Sequence, residues 1–357
     1  MTRTPEYGIG IVGTGHGARV TAPAFLADPR SRIRGFAAAR ADSAAQAAAE
    51  LGCEAYVHWR ALIDDPAVDA VAIATPPAVQ PEIAVAALEA GKAVLMEKPV
   101  AADVAAAARV EAAAAASGGA NLIGFIFPEV PSFAAARDML AGGAIGEIER
   151  VDVDWRVLTY ANQHRLESWK TRADGGGGTL FNFGAHVLFY LEWMAGRVET
   201  LRAALDKAPD DPRDGDTAAR LEMAFSSGAS GAVSLDAATD GPPCHRIAFA
   251  GADGALILEN SGSDYVGGFT LSLERNGVAE VVAGDAGSTA PQGDGRIAAT
   301  AKLAARLLDW VETGAASEPN ARHGLRVQFL LDCARRADQE GATVETTHHA
   351  ERTEAAR

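Results

Sequence analysis

Apolar residues fall along this chain in two different rhythms. Up to about residue 125, short apolar runs alternate with stretches of helical spacing. Tyr7–Val12 has the pattern of a buried strand and ends at Gly13, and residues 18–26 read as helix. Residues 32–38 read as a second strand, followed by a helix over 43–51 that stops at Gly52, a favourable residue just past a helix end. Residues 70–74 are a wholly apolar strand between Asp64-Asp65-Pro66 and Thr75-Pro76-Pro77. A helix over 82–90 closes at Gly91, then come a strand at Ala93–Met96, a helix over 103–116 and a strand over 121–125. Strand–helix alternation at this spacing predicts a doubly wound parallel sheet, an α/β domain of Rossmann type.

The rhythm changes after about residue 127. A helix over 133–140 is followed by a long alternating run, 147–158, with Val151, Val153, Trp155 and Val157 on one face. The glycine run 175–178 precedes a helical stretch through Trp193. Alternating segments then recur at 218–225, 231–237, 245–250, 255–259 and 269–273. This pattern predicts a C-terminal α+β domain with a largely antiparallel open sheet, covered on one face. Two helices, 297–313 and 324–339, are expected to close that domain. The polar tail 346–357 is expected to lie outside the core. The domain boundaries read 1–125, 126–345 and 346–357.

With 357 residues and 48% hydrophobic content, the chain is long enough for two cores. Its net charge of -15 repels nucleic acid and anionic membrane, so neither is expected as a partner. Cys53, Cys244 and Cys333 are odd in number and far apart, which argues against a disulfide framework or zinc site and for the cytoplasm. The N-terminal apolar run reads as a first strand rather than a leader. No segment reaches the ~18 apolar residues of a membrane span. The His348-His349 pair has no partner at ligand spacing, so no metal is expected. The acidic loop 210–216 reads as a solvated turn.

Candidate chemistry starts at Gly13-Thr14-Gly15-His16-Gly17-Ala18, which fits G-x-G-x-x-(G/A) between a strand and a helix. Gly13 permits a tight turn, Gly15 lets backbone approach a pyrophosphate, and small Ala18 lets helix pack on strand. The second strand runs out through Phe36-Ala37-Ala38-Ala39-Arg40 without the acid that usually accepts from the ribose hydroxyls of NAD. Ala39 and Arg40 stand there instead, and a guanidinium suits a 2′-phosphate. NADP is therefore favoured over NAD. The alternative is that Arg40 is only a solvated charge.

Three further segments extend the pattern: Leu62 to Val71 leading into Ala74-Thr75-Pro76-Pro77; Ala90 to Met96 leading into Glu97-Lys98-Pro99; and the glycine run followed by Asn182, Gly184 and His186. Together they resemble the glucose-fructose oxidoreductase/inositol dehydrogenase/rhizopine-catabolism (Gfo/Idh/MocA) family over nearly the whole chain. The resemblance implies a sugar, polyol or keto-sugar substrate, with Lys98 near the nicotinamide and the reacting oxygen. It implies that Thr75 and Pro76 bracket the cofactor and that the 98–99 peptide bond is cis. A lysine ammonium beside an oxygen that gains negative charge stabilises it and can donate a hydrogen bond; outside this context Lys98 would read as a surface lysine beside Glu97. His186 is the candidate acid/base, or otherwise a satisfied core histidine. Asn182 stands where the family pattern has aspartate, and serves either to orient the histidine or as a helix cap. Gln80, Ile126, Pro128 and Phe189 also depart from the pattern. Lys170, after Trp169, is a candidate cofactor or substrate contact, and Trp155, Tyr160, Asn162 and His164 are candidate pocket residues. A homodimer or homotetramer through the C-terminal sheet is implied. Two other readings stay open: a cofactor-binding sensor or scaffold without turnover, and a redox-assisted glycosidase.

Overall fold

The computed structural model describes residues 6–209, 211–264, 266–284 and 294–346. The tail beyond 346, with His348 and His349, and Asp210 of the acidic loop lie outside the described residues. The described residues form two compact units, one within 1–126 and 296–326, the other within 127–295 and from 327 onward.

The first unit is a six-stranded parallel sheet. Its strands are β1 (Tyr7–Val12), β2 (Ser31–Ala37), β3 (Glu54–Tyr56), β4 (Ala70–Ile73), β5 (Ala93–Met96) and β6 (Asn121–Ile123), in the order β3-β2-β1-β4-β5-β6. That is the order of a dinucleotide-binding sheet, with its switch point between β1 and β4. β4 and β5 are buried at every position, as expected of strands covered on both faces. The intervening helices are α1 (Ala22–Leu26), entered through a wider turn at Gly17–Thr21, α2 (Ala41–Leu51), α3 (Trp59–Asp64), α4 (Gln80–Glu89) and α5 (Val104–Ser117). Gly52 ends α2 in the left-handed region, and Asp103 opens α5 by accepting the Ala106 amide at 2.7 Å.

The second unit begins with α6 (Pro131–Ala141), β7 (Ile148–Arg156), α7 (Tyr160–Gln163) and α8 (Ala185–Ala195). Then come β8 (Val198–Asp206), β9 (Ala218–Phe225), β10 (Ser230–Asp236), β11 (Cys244–Gly251), β12 (Gly254–Asn260), β13 (Thr270–Arg275) and β14 (Val278–Gly284). With β15 (Val344–Glu345) these strands form one nine-stranded sheet, ordered β14-β13-β12-β11-β7-β10-β9-β8-β15. Only the β7–β10 pair is parallel. One face is apolar and buried, with Val151, Val153, Trp155, Leu221, Met223, Ile247 and Phe249. The other carries Arg150, Asp152, Asp154 and Arg156 on β7, beside Ala232 and Ser234 on β10 and Arg246 and Ala248 on β11. This outer face is one of charges and small residues.

The last two long helices are α9 (Arg296–Thr313) and α10 (Ala321–Glu340). α9 was expected to close the second domain; it packs instead in the first unit, against α1 and β5. Arg30, at the entry to β2, explains part of this, since its guanidinium meets Asp309 at 2.8 Å and Glu312 at 3.1 Å on α9. Among the described residues no helix is long and apolar enough to cross a membrane, and no cluster of His, Cys, Asp or Glu could hold a metal.

Candidate active site

The carboxyl ends of three neighbouring strands form a rim in the first unit. Gly13 N donates to Ala37 O at 2.8 Å, Ala74 N to Val12 O at 2.8 Å and Glu97 N to Ile73 O at 2.9 Å, so the chain leaves β1, β4 and β5 at one edge. Ligands of open parallel sheets bind there, at the switch point. Gly13 has φ +104°, and a Cβ on it would overlap the Ala74 carbonyl; no other residue fits. Gly15 is different, because a Cβ there would meet nothing within 4 Å. The protein leaves that space open, and the Thr75 hydroxyl is buried without a hydrogen-bond partner. Both observations fit the phosphates and ribose of a dinucleotide placed over the first helical turn. Thr14 is half-buried there and Pro76 exposed. The close helix–strand packing expected of Ala18 belongs to Gly17. It is buried, and a Cβ on it would stand 2.8 Å from Ile11 Cγ2, while Ala18 remains half-exposed because the wide turn rotates it outward.

His16, Glu97 and Lys98 converge on this rim. His16 Nε2 and Glu97 Oε1 lie 3.1 Å apart, a charge-pair distance without hydrogen-bond alignment. Burial pushes the Glu97 carboxyl up, but the His16, Lys98 and Arg296 charges more than offset this and hold it below the usual carboxylate range. Glu97 also packs over Gly124, where a Cβ would approach Oε1 to 2.9 Å. The Lys98–Pro99 peptide is cis. Fully buried Gln80 donates from Nε2 to Pro99 O at 2.7 Å, so this departure from the family pattern ties the first turn of α4 to the lysine segment. At the end of β2, Ala39 and Arg40 are exposed, and the Arg40 guanidinium bonds the Ser43 hydroxyl at 3.0 and 3.2 Å.

The second unit carries the other candidates. His186, on α8, is 6% exposed, and the Phe127 ring meets it at right angles, 5.1 Å between centroids. Asn182 Nδ2 donates to Gly178 O at 2.8 Å and Lys170 O at 3.1 Å. Both partners only accept, so the amide orientation is fixed by chemistry. A carboxylate here would face two carbonyls, which is the physical reason for asparagine. Asn182 lies inside a helical turn rather than at a cap. The Lys170 ammonium stands 5.6 Å over the Trp169 ring, and its carbonyl also accepts Gly178 N at 2.9 Å. Phe189 is buried on α8, a helix enclosed at most positions, where an aspartate would lose its hydration.

Several expected pocket residues have other work. Trp155 is 2% exposed and stacked at 3.9 Å and 7° on His245, with the Phe183 ring perpendicular to it, so the face on His245 is already covered. Asn162 donates to Ala237 O at 2.8 Å and accepts from Arg213 Nη2 at 3.1 Å. Tyr160 packs on His164 at the surface. The acidic loop is not a solvated turn either. Arg213 is buried and paired with Asp211, whose carboxyl it lowers to about 2, and Asp216 accepts the Leu180 amide just after the glycine run. The alternation of charges in that loop gave no sign of which ones turn inward.

The sheet order, the open Gly15 and the Thr75, Glu97 and Lys98 rim define a dinucleotide-binding oxidoreductase. Two family sequence models match the chain: the oxidoreductase family with NAD-binding Rossmann fold over residues 7–125, and the Gfo/Idh/MocA C-terminal domain over residues 133–257. Together they cover more than half of it, and the chain belongs to the Gfo/Idh/MocA oxidoreductases. It is 28% identical to the uncharacterized oxidoreductase sll0816 of Synechocystis sp., over 95% of this chain and 96% of that one. It is 29% identical to a dTDP-3,4-didehydro-2,6-dideoxy-alpha-D-glucose 3-reductase of Streptomyces violaceoruber, over 67% and 75%. With the levoglucosan dehydrogenase of Pseudarthrobacter phenanthrenivorans it shares 30% identity over 56% and 53%. A solved levoglucosan dehydrogenase in complex with NADH has the same fold, with TM-score 0.85 and 22% identity over 96% of this chain and 99% of that one.

Proposed function

We propose that this chain transfers hydride between NADP(H), taken in preference to NAD(H), and a carbon of a sugar, polyol or keto-sugar. The observation that carries the reading is the single rim where open Gly15, unpartnered Thr75 Oγ1 and Lys98 follow three adjacent strand ends. The names of two relatives, a dTDP-sugar reductase and a levoglucosan dehydrogenase, support a carbohydrate as substrate. Gly13, Thr14, Gly15, His16, Gly17, Thr75 and Pro76 would hold the dinucleotide, which when bound supplies the hydride donor or acceptor. Lys98 sets its ammonium beside the reacting oxygen and stabilises the charge that gathers there. His186 moves the proton to or from that oxygen. Asn182 and Lys170 fix the backbone from which His186 is presented.

The preference for NADP rests on the end of β2. Ala39 leaves no carboxylate to repel a phosphate, and Arg40 with Ser43 offers a guanidinium and a hydroxyl. Calorimetric titration of cofactor-stripped protein should show NADPH binding tighter than NADH by at least ~10-fold, about 1.4 kcal/mol. Equal affinity would remove the preference, and binding of neither would overturn the whole reading. Lys98→Ala should cut turnover of keto-sugars by roughly 10²–10⁴-fold with cofactor affinity retained. The three scattered cysteines suit the reducing cytoplasm. A homodimer or homotetramer through the outer face of the second sheet would bring Arg150, Asp152, Asp154 and Arg156 against a partner. Its association constant, measured by sedimentation, should therefore fall as salt rises.

A further inference from the structure

The loop before β9 ends near Asp216, a half-buried acid that the reaction above does not use. Its Oδ2 accepts the Leu180 amide at 2.8 Å, and its main-chain carbonyl accepts Thr179 N at 2.9 Å. Gly178 crosses so closely that a Cβ on it would overlap the carboxylate. Gly215, next in the loop, donates to Thr171 O at 3.1 Å. One residue thus holds the two positions that follow the glycine run, at the first turn of the segment bearing Asn182 and His186. Asn182 in turn hangs from Gly178 O through its own amide nitrogen and its side chain.

We propose that Asp216 is a positioning residue for the active site, fixing Thr179 and Leu180 and through them the placement of Asn182 and His186. The proposal rests on the function proposed above. A carboxylate suits the task. It only accepts, and its negative charge is favoured against the free amides that open a helical segment. From α10, Arg335 acts on it as the opposing charge; that guanidinium also lies 3.9 Å over Phe181 and donates to Ala173 O at 3.1 Å. The remaining charges around this cluster are Asp332, which acts on Arg335; Asp214, which accepts Ala173 N at 3.0 Å; and the exposed Arg172–Asp174 pair. Burial pushes the Asp216 carboxyl up to about 6, against the pull of the Leu180 amide and Arg335. The grip on Leu180 therefore tightens as the acid ionises around that pH.

The test compares the full chain with Asp216→Asn, Arg335→Gln and Arg335→Lys. Asparagine keeps the shape and one acceptor but not the charge. Amide exchange of the segment 175–186, read by mass spectrometry, should be faster in Asp216→Asn by ~10-fold or more well above pH 6, and equal to wild type well below it. The acid limb of kcat near pH 6 should vanish, while NADPH affinity stays unchanged. Arg335→Gln should move that limb to higher pH, and Arg335→Lys should leave it in place. Wild-type exchange and an unmoved limb in Asp216→Asn would overturn the proposal. If Asp216→Asn does not fold, Arg335→Gln decides, since its carboxylate remains; an unshifted pH midpoint of exchange overturns the clamp. If wild type turns over no carbonyl compound, the oxidoreductase reading fails by itself and the exchange data still judge Asp216.

Discussion

At the scale of single residues, Gly13 and Gly15 look alike in sequence and differ in what they make room for. Gly13 serves the fold, since its φ of +104° and the Ala74 carbonyl leave no place for a Cβ. Gly15 is not needed for packing, since a Cβ on it would meet nothing within 4 Å beyond its chain neighbours, and the proposed dinucleotide gives it a reason to stay small. Gly15→Ala should therefore melt within about 2 °C of wild type, as surface substitutions usually do, yet lose about tenfold or more in dinucleotide affinity. An equal loss of melting temperature would show that the glycine is structural. Asn182 makes the opposite argument. Replacing it by aspartate, as the family pattern has it, sets a carboxylate against the carbonyls of Lys170 and Gly178. Asn182→Asp should cost roughly 1–3 kcal/mol at neutral pH and less once acid protonates the new group, which urea unfolding at two pH values would show. The glycines could be singled out from the sequence because backbone chemistry and spacing constrain them, and Lys98 only because its segment resembles the family pattern. The role of Asn182 could not, since its partners are carbonyls that any residue carries.

At the scale of elements, the sequence yielded the strands whose burial is uniform or strictly alternating. β4 and β5 are continuous apolar runs, and β9 alternates residue by residue. The missed strands have physical reasons. β3 is only Glu54–Tyr56, with no apolar signature. β8, Val198–Asp206, spaces Val198, Leu201 and Leu205 as a helix would, although it pairs with β9 along its length. β14 is exposed at nearly every position and has no covered face to encode. Its valines, Val278 at 69% and Val281 at 66% exposure, lie on an edge strand that could pair with another chain. Val281→Lys should change folding stability by no more than about 0.5 kcal/mol. It should also slow the growth of light scattering on heating; an unchanged rate would show that this edge does not seed aggregation. The clamp between α4 and the lysine segment was equally illegible, because Gln80 reads as a surface residue until the fold buries it. Gln80→Ala leaves the Pro99 carbonyl without its donor and should cost ~1–3 kcal/mol of stability.

At the scale of the whole molecule, one buried and one half-buried group push the response to acid in opposite directions. His245 is 2% exposed, between the Trp155 ring and the Tyr190 hydroxyl, and burial lowers its pKa to about 3. Its unfolded value is near the ordinary 6.5. Between these limits the unfolded chain binds the proton and the folded one does not, so stability is lost as pH falls from about 6.5 toward 3, by as much as ~3–5 kcal/mol. Asp216 has the opposite sign. Its folded pKa of about 6 exceeds the ordinary 3.8, so the folded chain holds the proton in that window and stability is lost as pH rises through it. From about pH 4 to 6 the two slopes offset one another, and below that window only the histidine remains. Wild type should accordingly show a shallow dependence of urea stability on pH from 6 to 4 from these two groups, and a steeper loss below. His245→Phe keeps an aromatic ring on Trp155 and removes the titration; the variant should gain relative to wild type as pH falls, exposing the rise in stability toward acid that Asp216 supplies. Asp216→Asn should do the reverse, giving a loss that begins already near pH 6. Parallel pH curves for wild type and both variants would mean that neither group changes its proton affinity on folding. The core around Trp155 and the clamp at Leu180 would then both be more open to water than their burial implies.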